Sequence, residues 1–192
     1  MTRPAHMVFW IMFGLILPTT SFGGEYSERT ERDEVLANVV EQGVDRTWAA
    51  ALLDQAERKQ SILDAISRPA EKTKPWYDYR KIFLTDKRAR EGVAFAQQNA
   101  ETLAKVSDQT GVPASVITAI IGVETFYGRI TGSYRVIDAL ATLAFDYPKR
   151  SPFFTRELQN FLVLAYESGK DPLALKGSYA GAMGYGQFMP SS

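Results

Sequence analysis

Cysteine is absent from the sequence, and histidine occurs once, at position 6. Without cysteine there is no disulfide framework and no thiol to carry lipid behind a signal segment. His6 falls inside an N-terminal stretch expected to be removed, so the working chain is left with neither imidazole nor thiol. That excludes Ser-His-Asp triads, Cys-His pairs and ordinary zinc sites, and leaves acid-base chemistry to carboxylates, Lys or Tyr. Excess charge is missing too: 22 basic and 22 acidic residues cancel. The electrostatic case for nucleic-acid binding as the main role therefore fails. No strand pattern of any length and no internal repeat is present. The glycine-rich stretch near residue 180 lacks the Gly-Lys-Ser/Thr of a phosphate loop.

What is present fits a globular protein. The chain has 192 residues, 45% hydrophobic and 23% charged, enough to bury a core of useful size. At its start, Arg3 precedes an apolar run from Met7 to Leu17, then Pro18 and the small-residue segment Thr19 to Gly24. The run is about half of the ~20 residues a spanning helix needs. Residues 1–23 therefore read as a secretory signal peptide, with Ser21 and Gly23 at the −3 and −1 positions and an uncleaved anchor as the alternative. Export from the cytoplasm is the expectation.

Beyond it the pattern is helical. Val35, Val39, Trp48, Leu52, Ile62 and Ile66 recur at turn spacing, with Gly43 and Arg68-Pro69 as stops. This predicts an N-terminal helical segment over 24–74, ending in a connector from Pro69 to Pro75. The stretch Pro75 to Phe83 is dense in aromatics, with Trp76, Tyr77, Tyr79 and Phe83 close together. Such clusters are more often core; the alternative is a platform on which sugar rings stack. Thr85 caps one predicted helix through Asp108, and Gly111 stops it. Val136 to Phe145 is apolar on nearly all faces and should be buried. Pro148, Lys149 and Arg150 separate it from a helix over Pro152 to Ser168. The basic pair is either a solvated helix end or a receptor for anionic groups.

Between these lies a helix starting at Pro113 and carrying Val116, Ile117, Ile120, Ile121 and Val123. In its last turn, before Gly128 as the predicted stop, stands Glu124. Ile117, Ile120 and Tyr127 share its face by spacing, which predicts a carboxylate on a buried face. Such a group finds a partner or keeps its proton at a raised pKa, as a general acid must.

Three segments carry a resemblance: I-G-V-E-T-F-Y-G at Ile121 to Gly128, D-A-L-A-T-L-A-F-D-Y-P-K-R at Asp138 to Arg150, and G-S-Y-A-G-A-M-G-Y-G-Q-F-M-P-S-S at Gly177 to Ser192. With P-W-Y-D-Y-R at Pro75 to Arg80, they resemble the membrane-bound lytic murein transglycosylase B family. The resemblance covers roughly Pro75 to the chain end and is far more specific than a lone glycine motif. It implies a mainly α, lysozyme-like catalytic domain over 75–192. It further implies cleavage of the MurNAc-GlcNAc bond of peptidoglycan with formation of a 1,6-anhydromuramoyl end, without water. Glu124 matches the catalytic position. Tyr79, Ser178, Tyr185, Gln187 and Phe188 match sugar-holding positions, and Lys149 with Arg150 would lie near the stem peptide. No cofactor is implied.

The single carboxylate suits this chemistry, since the sugar's acetamido group and its own C6 hydroxyl replace the second carboxylate of ordinary glycosidases. In the family the domain continues past Pro-Ser-Ser, with an EF-hand-like calcium loop and further helices. This sequence stops at Ser192 and has no D-x-D-x-D-G loop, so no metal site is expected in it. The expected domain is incomplete on its C-terminal side, with a wall of the groove missing and apolar helix faces uncovered. Two other readings follow: a non-catalytic peptidoglycan-binding remnant, and a hydrolase that uses water with the same acid.

Overall fold

The computed structural model describes residues 24–68 and 74–192. The expected signal peptide and most of the Pro69 to Pro75 connector lie outside the described residues. Among the described residues no helix is long and apolar enough to cross a membrane.

The architecture is mainly helical. Three short helices come first: α1 (Thr30–Glu41), α2 (Arg46–Leu53) and α3 (Gln60–Ser67). The Asp45 carboxylate caps α2 by accepting from the Trp48 amide at 2.7 Å, which satisfies one of its unpaired N-terminal donors. The one-turn α4 (Trp76–Tyr79) leads through a 3-10 turn into α5 (Asp86–Gln98), α6 (Ala100–Thr110) and α7 (Ala114–Thr125). Then follow β1 (Tyr134–Arg135), α8 (Val136–Asp146), α9 (Ser151–Ser168) and β2 (Lys176–Gly177). The two strands pair antiparallel, Tyr134 opposite Gly177 and Arg135 opposite Lys176.

The core sits between α8, α9 and the first three helices. Ile137, Leu140 and Leu143 of α8, Phe154, Leu158 and Phe161 of α9, and Val35, Leu36, Leu53 and Ile62 of α1 to α3 form one buried cluster. Residues 26–62 thus pack on the same core as residues 136–162. The burial expected of α8 is complete from Val136 through Phe145. Its polar residues form a stripe at four-residue spacing, Asp138, Thr142 and Asp146, which faces the N-terminal segment. Asp138 Oδ1 accepts from the Glu57 amide at 2.9 Å, Thr142 Oγ1 from the Lys59 amide at 3.0 Å, and Asp146 pairs with Arg29 at 2.6 Å. Arg135 closes on Asp138 with both Nε and an Nη.

Helices α5, α6 and α7 form a thinner layer. Of their residues only Gly92, Leu103, Thr118, Gly122 and Thr125 are buried. Three expectations are corrected here. The helix expected from Thr85 to Asp108 is broken at Asn99, whose backbone leaves the helical region and whose Nδ2 bonds the Phe95 carbonyl at 2.9 Å. The packing expectation for the aromatic stretch fails: Trp76, Tyr77 and Tyr79 are 69%, 60% and 46% exposed. Their helix is a single turn with no buried residue, with Phe83 as a ring neighbour of Tyr79. Finally, α7 ends at Thr125 rather than running to Gly128.

That early end has a local cause. The Tyr127 hydroxyl donates to the Arg88 carbonyl at 2.9 Å, and its ring fills a slot over Gly92 and Gly122, where an added Cβ would meet it at 2.5 and 2.7 Å. Swinging the ring back onto α5 turns Phe126, Tyr127 and Gly128 into the left-handed region, at φ of 49°, 61° and 81°. For the two residues with side chains this costs about 1–3 kcal/mol each and is held by surrounding contacts. Tyr127 therefore does not lie on the helix face carrying Glu124.

Candidate active site

Glu124 stands in the last turn of α7 and is exposed. The buried face expected for it is not found. Val116, Ile120 and Val123, in the turns around it, are 45%, 48% and 46% exposed. The sequence pattern marked apolar residues correctly, but α5 and α6 cover only the side of α7 that bears Thr118, Gly122 and Thr125. Glu124 takes part in no ion pair or side-chain hydrogen bond among the described residues.

The residue after it is the site's organising group. Thr125 is fully buried, and its Oγ1 lies 3.1 Å from the Ile121 carbonyl, 3.0 Å from the Tyr185 carbonyl and 2.9 Å from the Gly128 amide. The hydroxyl accepts from Gly128 and has one proton for the two carbonyls. It ties the end of α7 to the glycine-rich segment 177–192.

That segment folds as a compact hairpin. Met183 and Phe188 exchange backbone hydrogen bonds at 3.0 and 3.2 Å. Ser178 Oγ accepts from the amides of Ala180 and Ala182 at 3.2 and 3.1 Å, which builds the turn and leaves its proton to give. Gln187, with φ of 50°, donates from Nε2 to the Thr131 and Gly184 carbonyls at 3.1 and 3.0 Å. Its amide group is thereby oriented, and its oxygen keeps acceptor capacity. The Tyr185 ring lies against Gly128 and 6.2 Å from Phe95. Tyr185 and Phe188 are 52% and 62% exposed, so each presents a ring face to solvent.

The hairpin rests on the core. Gly181 abuts Leu140, with an ideal Cβ 2.4 Å from Cδ2, and Met183 and Met189 pack against the main cluster. Glu157 of α9 takes the amide and hydroxyl of Ser191 at 3.1 and 2.8 Å.

The structure therefore joins Ser178, Tyr185, Gln187 and Phe188 in one hairpin and docks it on Thr125, the residue after Glu124. Tyr79 connects less directly, through Phe83 at 5.3 Å, then Arg88 over Phe83 at 5.2 Å and over Phe126 at 4.9 Å. Lys149 and Arg150 are exposed at the start of α9, and no hydrogen bond or ring contact joins them to the hairpin among the described residues. Arg150 instead stacks over Phe153 and Phe154, at 4.5 and 5.2 Å. Sequence reasoning missed Thr125 and Glu157. Thr125 is a hydroxyl side chain in the last turn of an apolar helix, a signal that was present; for Glu157 the sign was a carboxylate among Phe154, Leu158 and Phe161. Among the described residues no group of three or more His, Cys, Asp or Glu is placed to hold a metal.

A mainly helical, lysozyme-like fold, with one exposed carboxylate at a helix end and a glycine-rich hairpin against it, defines the class. The sequence pattern of the Transglycosylase SLT domain matches residues 27–192, and the chain belongs to that family. It is 43% identical over 180 residues to membrane-bound lytic murein transglycosylase B of Escherichia coli (strain K12), covering 88% of this chain and 50% of the relative. Its structure is similar to soluble lytic transglycosylase SltB1 from Pseudomonas aeruginosa, with a TM-score of 0.80 and 54% identity over 84% of this chain and 55% of that one. It is also similar to SltB3 from Pseudomonas aeruginosa in complex with NAG-NAM-pentapeptide, with a TM-score of 0.76 and 30% identity over 83% and 42% of the two chains. The chain thus spans about half the length of the relatives it matches.

Proposed function

We propose that this chain is a peptidoglycan lytic transglycosylase that cleaves the MurNAc-GlcNAc β-1,4 bond and leaves 1,6-anhydromuramoyl ends. One observation carries the reading: Thr125, the neighbour of Glu124, is hydrogen-bonded to the hairpin that bears Ser178, Tyr185, Gln187 and Phe188. In this reading that bond holds a single acid near a ring-and-amide surface suited to sugars. The complex of SltB3 with NAG-NAM-pentapeptide supports the substrate class.

In this reading Glu124 gives its proton to the glycosidic oxygen as the bond from that oxygen to C1 of the muramoyl sugar breaks. The acetamido group supports the positive charge at C1, and the Gln187 oxygen and Ser178 hydroxyl orient it. The C6 hydroxyl oxygen then bonds to C1 and returns its proton to Glu124. No water is consumed, and the reacting groups sit on one molecule, so effective concentration is high. Tyr79, Tyr185 and Phe188 pack on ring faces, and Lys149 with Arg150 receives stem-peptide carboxylates.

In this division of labour residues 75–192 carry the site, and the helical segment within 24–74, through residues 26–62 on the shared core, supports α8 and α9. Because peptidoglycan lies outside the cytoplasmic membrane, the reading places the chain in the cell envelope. Its expected compartment is the periplasm, reached through the signal peptide at residues 1–23. Digestion of purified sacculi, with products identified by mass spectrometry, tests the function. Anhydro-ended fragments are expected. Reducing ends would favour a water-using hydrolase, and binding without release a non-catalytic remnant.

A further inference from the structure

Glu157 is a buried carboxylate, 4% exposed, that the proposed reaction does not use. Among the described residues it has no cationic partner; its hydrogen bonds go to the Ser191 amide and hydroxyl, at 3.1 and 2.8 Å. Burying a carboxyl group against two neutral donors is a costly way to pack a helix, and a leucine would fill the position without that polar cost. The placement does buy direction. Phe154, Leu158, Phe161 and Leu162, around Glu157 on α9, are all buried in the core, so its carboxylate stands on a rigid rail. Ser191 is three residues beyond Phe188, the closing residue of the Met183 to Phe188 hairpin. Elsewhere the hairpin is tied by the Thr125 to Tyr185 bond at 3.0 Å and by Gln187 Nε2 on the Thr131 carbonyl at 3.1 Å.

We infer that Glu157 is a positioning residue for the glycan site: by clamping Ser191 it fixes where Tyr185, Gln187 and Phe188 stand relative to Glu124. The inference rests on the hairpin being the sugar surface, as proposed above. Thr125 holds the hairpin at the catalytic helix, and Glu157 holds its exit at the core. Polar contact matters because the two oxygens of the side chain accept from the Ser191 amide and hydroxyl in fixed directions, which an apolar side chain cannot do.

The test is the variant set Glu157→Leu, Glu157→Gln and Ser191→Ala, each in the full chain. Three quantities are read: thermal unfolding, affinity for purified glycan strands, and hydrogen exchange of the amides of residues 183–188. Glu157→Leu should unfold at the wild-type temperature or above it, yet bind glycan at least tenfold more weakly, with exchange at 183–188 at least tenfold faster. Glu157→Gln, which keeps an acceptor oxygen, should recover most of both losses. Ser191→Ala, at an exposed residue, should fold and show a smaller loss. The double variant Glu157→Leu with Ser191→Ala should be no worse than Glu157→Leu alone. Wild-type glycan affinity in Glu157→Leu, or unchanged exchange at 183–188, would overturn the inference, as would an affinity loss that merely follows a loss of stability. If the wild-type chain binds no glycan, the functional reading falls, while the exchange data still decide whether Glu157 clamps the hairpin.

Discussion

The hydroxyl of Thr125 lies 3.0 Å from the carbonyl oxygen of Tyr185, 60 residues further along the chain. Because Thr125 follows Glu124 directly, this contact ties the end of the helix that carries Glu124 to the hairpin that carries Tyr185. Thr125→Val keeps the shape and deletes the oxygen, leaving the Gly128 amide and Tyr185 carbonyl without this partner. Stability should fall by about 1–3 kcal/mol, and glycan cleavage should fall with it. Thr125→Ser should cost much less. Denaturant unfolding checks the first effect and fragment release the second.

Glu124 is exposed and contributes nothing to the core. Glu124→Gln should therefore leave the unfolding temperature unchanged and lower fragment release about 10²–10⁴-fold, the usual contribution of a positioned acid. Release near the wild-type rate would show that another group donates the proton.

Gly132 has φ of +97°, and an ideal Cβ there would lie 2.0 Å from the backbone carbon and oxygen of Gly177. Backbone cannot yield as a flexible side chain does. Gly132→Ala should open the β1 to β2 pairing and destabilise the chain by more than about 2 kcal/mol. Thermal unfolding measures the loss, and faster amide exchange at Tyr134 to Val136 locates it.

Tyr26 is fully buried, and its hydroxyl meets Thr142 Oγ1 and Asp146 at 3.5 and 3.3 Å. Burial raises its pKa well above the ordinary 10.0, with the Asp146 charge adding to the rise while the Thr142 contact opposes it. A pKa higher in the folded than in the unfolded chain gives stability that is complete below about pH 10 and is lost as pH rises toward the folded value. Denaturant midpoints should therefore drop above pH 10. In Tyr26→Phe the part of that drop due to this phenol should vanish.

Much of the helical order was legible. The α8 pattern, apolar on nearly every face, predicted a buried helix, and α8 is buried along its length. The α9 bounds were predicted to within a residue, because Pro at the start and a polar end leave little choice. The sequence signals failed where a side chain outranked local propensity. Asn99 broke a helix that the apolar period carried through, and the Tyr127 ring, anchored on Arg88, ended α7 before the glycine expected to stop it.

At the site, the motifs marked Glu124 and the hairpin residues, but periodicity misjudged the setting of Glu124. An apolar period says which face a helix would bury, not whether another element arrives to cover it. That is why Ile120 and Val123 are exposed where burial was expected.

The sequence by itself determined the helical class, the absence of thiol chemistry, and the identity of the one carboxylate in the E-T-F-Y-G motif. These follow from composition and local order along the chain. Only the tertiary structure decided which groups stand together: Thr125 with Tyr185, Gln187 with Thr131, Glu157 with Ser191, and the polar stripe of α8 with residues 29–59. Each of these pairs crosses tens of residues, and hydrogen bonds over such separations are set by the packing of helices on a shared core, which one-dimensional pattern does not encode.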